Sequence, residues 1–207
     1  YVPDDKFEQA LIDLGYDTTL DDSVLTANIS GVTVLDVSRK SISDLTGIEA
    51  FTSLIDLSCA FNQLTSLDVS SNTALKTLEL GSTQLTSLDV SRNTALTYLG
   101  CGDSQLTSRD VSRNTALTQL HCNNNQLTYL NMRNGVKEQL SNFNAKGNPS
   151  LTCIETLDPS YATANWTSAN GNIDAGVTFT YICGVDVDGV STYNNNGIKA
   201  ITFNVEL

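Results

Sequence analysis

The chain has 207 residues and carries 23 acidic against 11 basic side chains, a formal net charge of −12. That balance speaks against nucleic acid as a partner, because a phosphate binder needs a cationic face to release counterions. No apolar run reaches the roughly 18 residues that a membrane span requires, and an acidic surface instead favours solubility, basic partners or divalent cations.

The sequence opens on Tyr1 and not on methionine, so the expectation is a processed or trimmed chain with no signal peptide left to read. Residues 1–31 lie outside the repeating pattern of the chain and read as an N-terminal cap. Asp4 is placed to cap a helix whose apolar residues Phe7, Ala10, Leu11 and Leu14 recur at helical spacing, with Glu8 in the first turn and Gly15 as the stop. DTTLDDS (17–23) reads as a polar turn, and VLTANISGV after it as a strand.

From residue 32 to residue 151 the chain repeats itself. LTSLDVSSNTALKTLELGSTQ (64–84), LTSLDVSRNTALTYLGCGDSQ (85–105) and LTSRDVSRNTALTQLHCNNNQ (106–126) are near copies with a period of 21 residues. A fixed period of that size marks a solenoid. The pattern L-x-x-L-x-L/C-x-x-N-x-L is the leucine-rich-repeat signature, with copies starting at Val32, Leu54, Leu75, Leu96, Leu117 and, after a stretched interval containing Asn134-Gly135, Leu140.

Periodicity assigns each side chain a direction. Positions 1, 4, 6 and 11 of each copy point inward and stack one coil above the next, about 4.8 Å apart. One column is Leu35, Leu57, Leu78, Leu99, Leu120 and Phe143; another is Val37, Cys59, Leu80, Cys101, Cys122 and Ala145. Asn62, Asn125 and Asn148 stand where an asparagine ladder satisfies loop backbone, with Thr83 and Ser104 interrupting it.

The second half of each copy, LTSLDVSxN, repeats the inward pattern with Asn72, Asn93 and Asn114 at its ninth position, and reads as extended chain. The predicted architecture is a right-handed leucine-rich-repeat solenoid. It has a parallel β-sheet on the concave face, a mostly extended or turn convex side and a short N-terminal helical cap. Arg109 breaks the pattern where Leu67 and Leu88 predict an inward leucine. An unpaired buried guanidinium is costly, so it is expected to bend outward or to pair with Asp110 or Asp89.

Residues 152–183 hold the only tryptophan and end on a cysteine, as a C-terminal cap over the last coil requires. An odd total of five cysteines argues against complete pairing. The expected arrangement is one cap disulfide, Cys153–Cys183, with Cys59, Cys101 and Cys122 as buried thiols. Residues 184–207 read as a tail or as added strands.

The repeats, the ISDLTGIEAF segment of the first copy and the cysteine-flanked cap resemble secreted bacterial leucine-rich-repeat proteins of the Bacteroidetes type, and ISDLTGIEAF is also similar to internalin repeats. The opening VPDDKFEQALIDLGYD and the segment CIETLDPSYATANWTSANGNIDAGVTF resemble stretches that bracket such arrays in exported marine bacterial proteins. The resemblance covers about residues 1–183. It implies export, a secreted or cell-surface setting and binding as the activity, and it carries over no catalytic residue.

Comparing the copies with each other locates the candidate site. Outward residues of the second half barely change: Thr65, Ser66, Asp68 and Ser70 recur as Thr86, Ser87, Asp89 and Ser91, then as Thr107, Ser108, Asp110 and Ser112. Outward residues of the first half change freely, which places Asp56, Phe61, Glu79, Tyr98, Asp103, Gln119 and His121 as candidate ligand-binding residues on the concave strands. Tyr98 and His121 are diagonal neighbours within side-chain reach.

The column Asp68, Asp89, Asp110 is a weak candidate for calcium, set against neutralisation by Arg92, Arg113 and water. Catalysis is disfavoured because His121 and Cys122 are strand neighbours and point to opposite faces. A glycosidase pair from Asp56 and Glu79 would sit on an open sheet with no lid. No nucleophile elbow, phosphate loop or zinc motif is present.

The chain therefore reads as a monomeric, non-enzymatic binding module without cofactor, recognising a protein or glycan ligand. The alternative is a structural or adhesive surface element that uses the Thr/Ser/Asp face, with calcium assisting.

Overall fold

A computed structural model describes residues 1–136 and 138–184, so the stretch 185–207, expected as tail or added strands, lies outside the described residues. Ten short strands follow each other along the chain: β1 (Val34–Asp36), β2 (Asp56–Ser58), β3 (Thr77–Glu79), β4 (Tyr98–Gly100), β5 (Ser108–Asp110), β6 (Gln119–His121), β7 (Tyr129–Met132), β8 (Asn142–Asn144), β9 (Cys153–Thr156) and β10 (Thr178–Thr180). They form two parallel sheets, one in the order β1-β2-β3-β4-β6-β8 and one in the order β10-β9-β7-β5. The fold is a leucine-rich-repeat solenoid, and the first sheet is the concave face built by the first half of each copy.

Register follows the 21-residue period. Leu35 pairs with Leu57, Leu57 with Leu78, Leu78 with Leu99, Leu99 with Leu120 and Leu120 with Phe143. All of these are buried, as are Val37, Cys59, Leu80, Cys101, Cys122 and Ala145 beside them. Burying each leucine contributes roughly 1.5–3 kcal/mol, and since every coil touches only its neighbours, that gain exists only in the stack.

Two asparagine ladders close the coils. On the concave side Asn62 accepts from the backbone N–H of Ile42 and donates to the carbonyls of Val37 and Cys59. Asn125 and Asn148 repeat this, while Thr83 and Ser104 fill the gap by bonding to each other at 3.1 Å. On the convex side Asn72, Asn93 and Asn114 each donate to two carbonyls of the preceding coil. Asn134 is displaced by one residue from the expected place, yet it is buried and donates to Asn114, so the stretched copy keeps the ladder.

The chain leaves each concave strand through a left-handed residue: Arg39, Phe61, Ser82, Asp103 and Asn124 all have φ between 52° and 60°. Such a conformation costs a non-glycine residue on the order of 1 kcal/mol. Each of these residues donates its backbone N–H to a carbonyl on the next coil, from Arg39 to Ala60 at 3.0 Å through Asn124 to Lys146 at 2.8 Å, which offsets that cost.

The ends close as caps do. Helix α1 (Asp5–Asp13) starts at Asp4, whose carboxylate accepts from Lys6 and Phe7 and also from Ser43 and Asp44 of the first coil. Burial pushes the Asp4 carboxyl up, but the Ser43, Phe7 and Asp44 hydrogen bonds bring it below the usual carboxylate range. Leu14, expected on the buried face, is 46% exposed because the helix has ended one residue earlier and the chain turns at Gly15.

The segment expected as a strand contains instead a helical turn, α2 (Thr26–Ile29). Its apolar side chains do not alternate: Leu25 is exposed while Ile29 is buried, so only one face of a turn meets the core.

At the other end α3 (Pro159–Asn165) delivers Trp166 onto the last coil. Its ring lies 5.0 Å from Phe143, 5.8 Å from Tyr161 and 5.9 Å from Phe179. Cys153 and Cys183 are joined, with Cα atoms 5.9 Å apart.

The convex side differs from expectation in two respects. Extended pairing begins only at β5, and the first copy's second half forms a 3₁₀ turn at Ile48–Ala50. Arg109 neither bends outward nor pairs with an acid. It is 2% exposed, sits opposite Leu130 and donates to the carbonyl of Leu88, while Nε and Nη1 are buried without a partner among the described residues. The inward direction of its position in β5 overrides the charge: Asp110, its strand neighbour, points to the opposite face, and Asp89 on the preceding coil feels the guanidinium's charge without forming a salt bridge to it.

Candidate functional site: a hollow on the concave sheet

Five of the seven concave residues singled out by sequence, Phe61, Glu79, Tyr98, Asp103 and His121, line one hollow of about 180 Å³. Asp56 lies one strand away on β2, and Gln119 pairs with Tyr98 at the start of β6; neither lines it.

The hollow exists because β4 and its corner carry glycines. A side chain at Gly100 would overlap the Glu79 carboxylate, and one at Gly102 would come within 2.7 Å of Asn123 Oδ1. Glu79 therefore lies across its neighbouring strand, where Tyr98 donates its hydroxyl to Oε2 at 2.5 Å and the Gly81 N–H donates to Oε1 at 3.1 Å. Sequence reasoning passed over Gly81, Gly100 and Gly102; the signal was there, since three glycines interrupt otherwise side-chain-bearing outward columns.

The aromatic walls are ordered. The Tyr98 and His121 rings are 5.7 Å apart, as expected of diagonal neighbours. Burial first, then the hydrogen bond to Glu79, hold the Tyr98 phenol well above its ordinary range, so it is a proton donor throughout the physiological span. His121 Nε2 is shielded from solvent and has no partner among the described residues. Phe61 is 50% exposed at its left-handed corner, with the Arg39 guanidinium 3.7 Å from its ring centroid. Asp103, also at such a corner, accepts from the Asn124 side chain at 2.7 Å.

His121 and Cys122 do point apart, and the thiols are inert. Burial pushes Cys59 up to about 12 and Cys101 up to about 11, and raises Cys122 well above the ordinary value. Protonated, buried thiols are poor nucleophiles.

The aspartate column is arranged differently. Asp68, Asp89 and Asp110 do not converge on a common point. Each carboxylate accepts the backbone N–H two residues ahead, at Ser70, Ser91 and Ser112, all at 2.8 Å. Those bonds to Ser70 and Ser91 hold Asp68 and Asp89 below the usual carboxylate range.

Carboxylates that do converge lie in the N-terminal cap, where Glu8, Asp17 and Asp21 approach within 4.8 Å. There Glu8 is fully buried and accepts from the backbone N–H groups of Asp21, Asp22 and Ser23, which fixes the loop that sequence showed only as a polar turn.

No family model matches the chain. Over 73 residues it is 36% identical to Internalin J of Listeria monocytogenes serotype 4b, a match that spans 35% of this chain and 8% of that relative. Among solved structures, the functional domain of InlJ from Listeria monocytogenes superposes with a TM-score of 0.64 at 34% identity, over 75% of this chain and 36% of that one. That domain includes a cysteine ladder; here Cys59, Cys101 and Cys122 share one inward column, interrupted by Leu80. The internalin InlF of Listeria monocytogenes shares the fold, with a TM-score of 0.59 at 19% identity over 77% of this chain and 53% of that one. The chain is thus an internalin-like leucine-rich-repeat protein, spanning well under half the length of these InlJ relatives.

Proposed function

We propose that the chain is a non-enzymatic recognition module that binds a protein partner through its concave sheet, acting as a monomer outside the cytoplasm or at the cell surface of a bacterium. One observation carries this reading. On a scaffold whose convex aspartates accept bonds from their own turns, the concave sheet presents a preformed hollow with two carboxylates, a phenol and an imidazole converging on it. Likeness to internalin repeats supports binding as the activity. The Cys153–Cys183 bridge supports export, since such bonds persist in oxidising compartments. Inert thiols and a sheet that stands open among the described residues support a function without catalysis.

An array of surface proteins and glycans, probed with and without calcium, tests the proposal. Binding to a protein should fall about tenfold or more in the Phe61→Ala/Tyr98→Ala double variant, the size of effect expected of aromatic anchors. It should survive replacement of Asp68, Asp89 and Asp110 by alanine. The reverse result, or binding that requires calcium and the aspartate column, would replace this reading with that of an adhesive convex face.

A further inference from the structure

We infer that the Gly100 hollow is a socket for a single arginine side chain of the protein partner. This inference rests on the recognition face proposed above and names the chemistry that the face receives.

Charge is the first argument. Glu79 and Asp103 flank the hollow from successive coils, and neither is in an ion pair; among the described residues the only such pair is Lys40 with Asp13, at 3.2 Å. Glu79 already takes hydrogen bonds from Tyr98 and Gly81, which fixes its orientation and leaves each oxygen a second lone pair for a ligand. Two oriented carboxylates without a cation between them favour a positive group, and the net charge of −12 adds long-range attraction for a basic partner.

Shape selects arginine over lysine. The Glu79 carboxylate lies over Gly100 and the Asn123 amide over Gly102, which gives the hollow a planar polar floor, and the walls are the rings of Phe61, Tyr98 and His121. A planar guanidinium stacks on such rings and reaches carboxylates at two levels with its five donors, whereas an ammonium is a compact, strongly hydrated point charge. The surface already does this once: the chain's own Arg39 lies over Phe61, on the rim beside the hollow and outside its lining.

The test titrates the ¹⁵N-labelled chain with Nα-acetyl-arginine methylamide and follows amide shifts. Saturating shifts are expected at Gly81, Gly100 and Gly102, weakened by 0.5 M NaCl as an exposed charge contact must be (a Debye length of about 4 Å at that concentration). Affinity should drop about tenfold with the neutral citrulline counterpart and with Glu79→Gln. Gly100→Ala should abolish the shifts by pushing the Glu79 carboxylate out of its place.

If Glu79→Gln disturbs the fold, Asp103→Asn takes its place, because Asn124 holds the same left-handed corner one coil on. Equal shifts with citrulline, shifts at these glycines from methyl glycosides alone, or arginine shifts confined to Asp68, Asp89 and Asp110 would overturn the socket. A protein partner lost in the Phe61→Ala/Tyr98→Ala variant, with arginine amide leaving the three glycines unmoved, sinks the socket and leaves the recognition face. Arginine shifts at the socket combined with a partner indifferent to that variant sink the recognition face and leave the socket.

Discussion

The concave and convex halves of each coil start from one sequence pattern and end with different uses. Both turn the same three positions inward, apolar except for Arg109, and both carry an asparagine ladder. Both also share one turn device, a carboxylate or amide that accepts the N–H two residues ahead. On the convex side it is used at Asp68, Asp89 and Asp110 without exception among the near-identical copies. On the concave side Asp36, Glu79 and Asn144 use it, but Ser58, Gly100 and His121 do not. Two of the lapses, Gly100 and His121, lie in the lining of the hollow; Ser58 does not. The difference teaches that outward variety here comes from releasing an outward position from a structural duty, not from adding a new element.

The largest effect should come from the buried columns that the two halves share. Leu99→Ala, at the centre of the concave core, is expected to cost about 2–5 kcal/mol in urea unfolding, as transfer and cavity terms add. A loss below about 1 kcal/mol would mean that neighbouring coils collapse into the space, and the stack would be softer than its packing implies.

Arg109 breaks the convex column, so Arg109→Leu should raise the urea midpoint and gain about 1–4 kcal/mol, the range seen when a buried ion pair gives way to apolar side chains of similar volume. Loss of stability instead would show that the guanidinium has a partner in solution that Nε and Nη1 lack here.

The ladders give a finer contrast. Asn125 uses its oxygen for the Leu106 N–H and its amide for the carbonyls of Cys101 and Cys122, whereas the oxygens of Asn72, Asn93 and Asn114 have no partner among the described residues. Asn93→Ala should therefore cost about 1–3 kcal/mol, and Asn125→Ala more, since it orphans a buried N–H as well. Equal losses would put the two ladders on one footing.

Architecture was legible because it is periodic. Once the copies are aligned, every inward column is determined, and the strand register places Leu35 through Phe143 in line as the alignment does. What was illegible lies where a single non-repeated interaction decides. Residues 24–32 have β-forming composition, yet the cap needs Ile29 inside and Leu25 outside, which a turn of helix provides. The burial of Glu8 depends on three N–H groups more than a dozen residues away. Variable outward residues marked the concave face, but not where its hollow lies. That depends on Glu79 leaning over Gly100 toward the hydroxyl of Tyr98, a direction that a glycine permits and spacing alone does not reveal.

The smallest effect separates turn from ligand on the convex side. Asp89→Ala removes one exposed carboxylate bond to the Ser91 N–H and should cost no more than about 1 kcal/mol near neutral pH, with binding unchanged. Its pH dependence has a definite sign. The Ser91 hydrogen bonds hold the folded carboxyl below the unfolded value of about 3.9, so the contribution is complete above that value and fades as pH falls through the folded one. The gap between wild type and Asp89→Ala should therefore be constant from neutral pH down to about 5 and shrink below about 4. If the gap depends on calcium at neutral pH instead, the aspartate is a cation ligand and the convex half has a use of its own. If it follows acid alone, Asp89 is turn chemistry, and the contrast between the two halves stands on its smallest member.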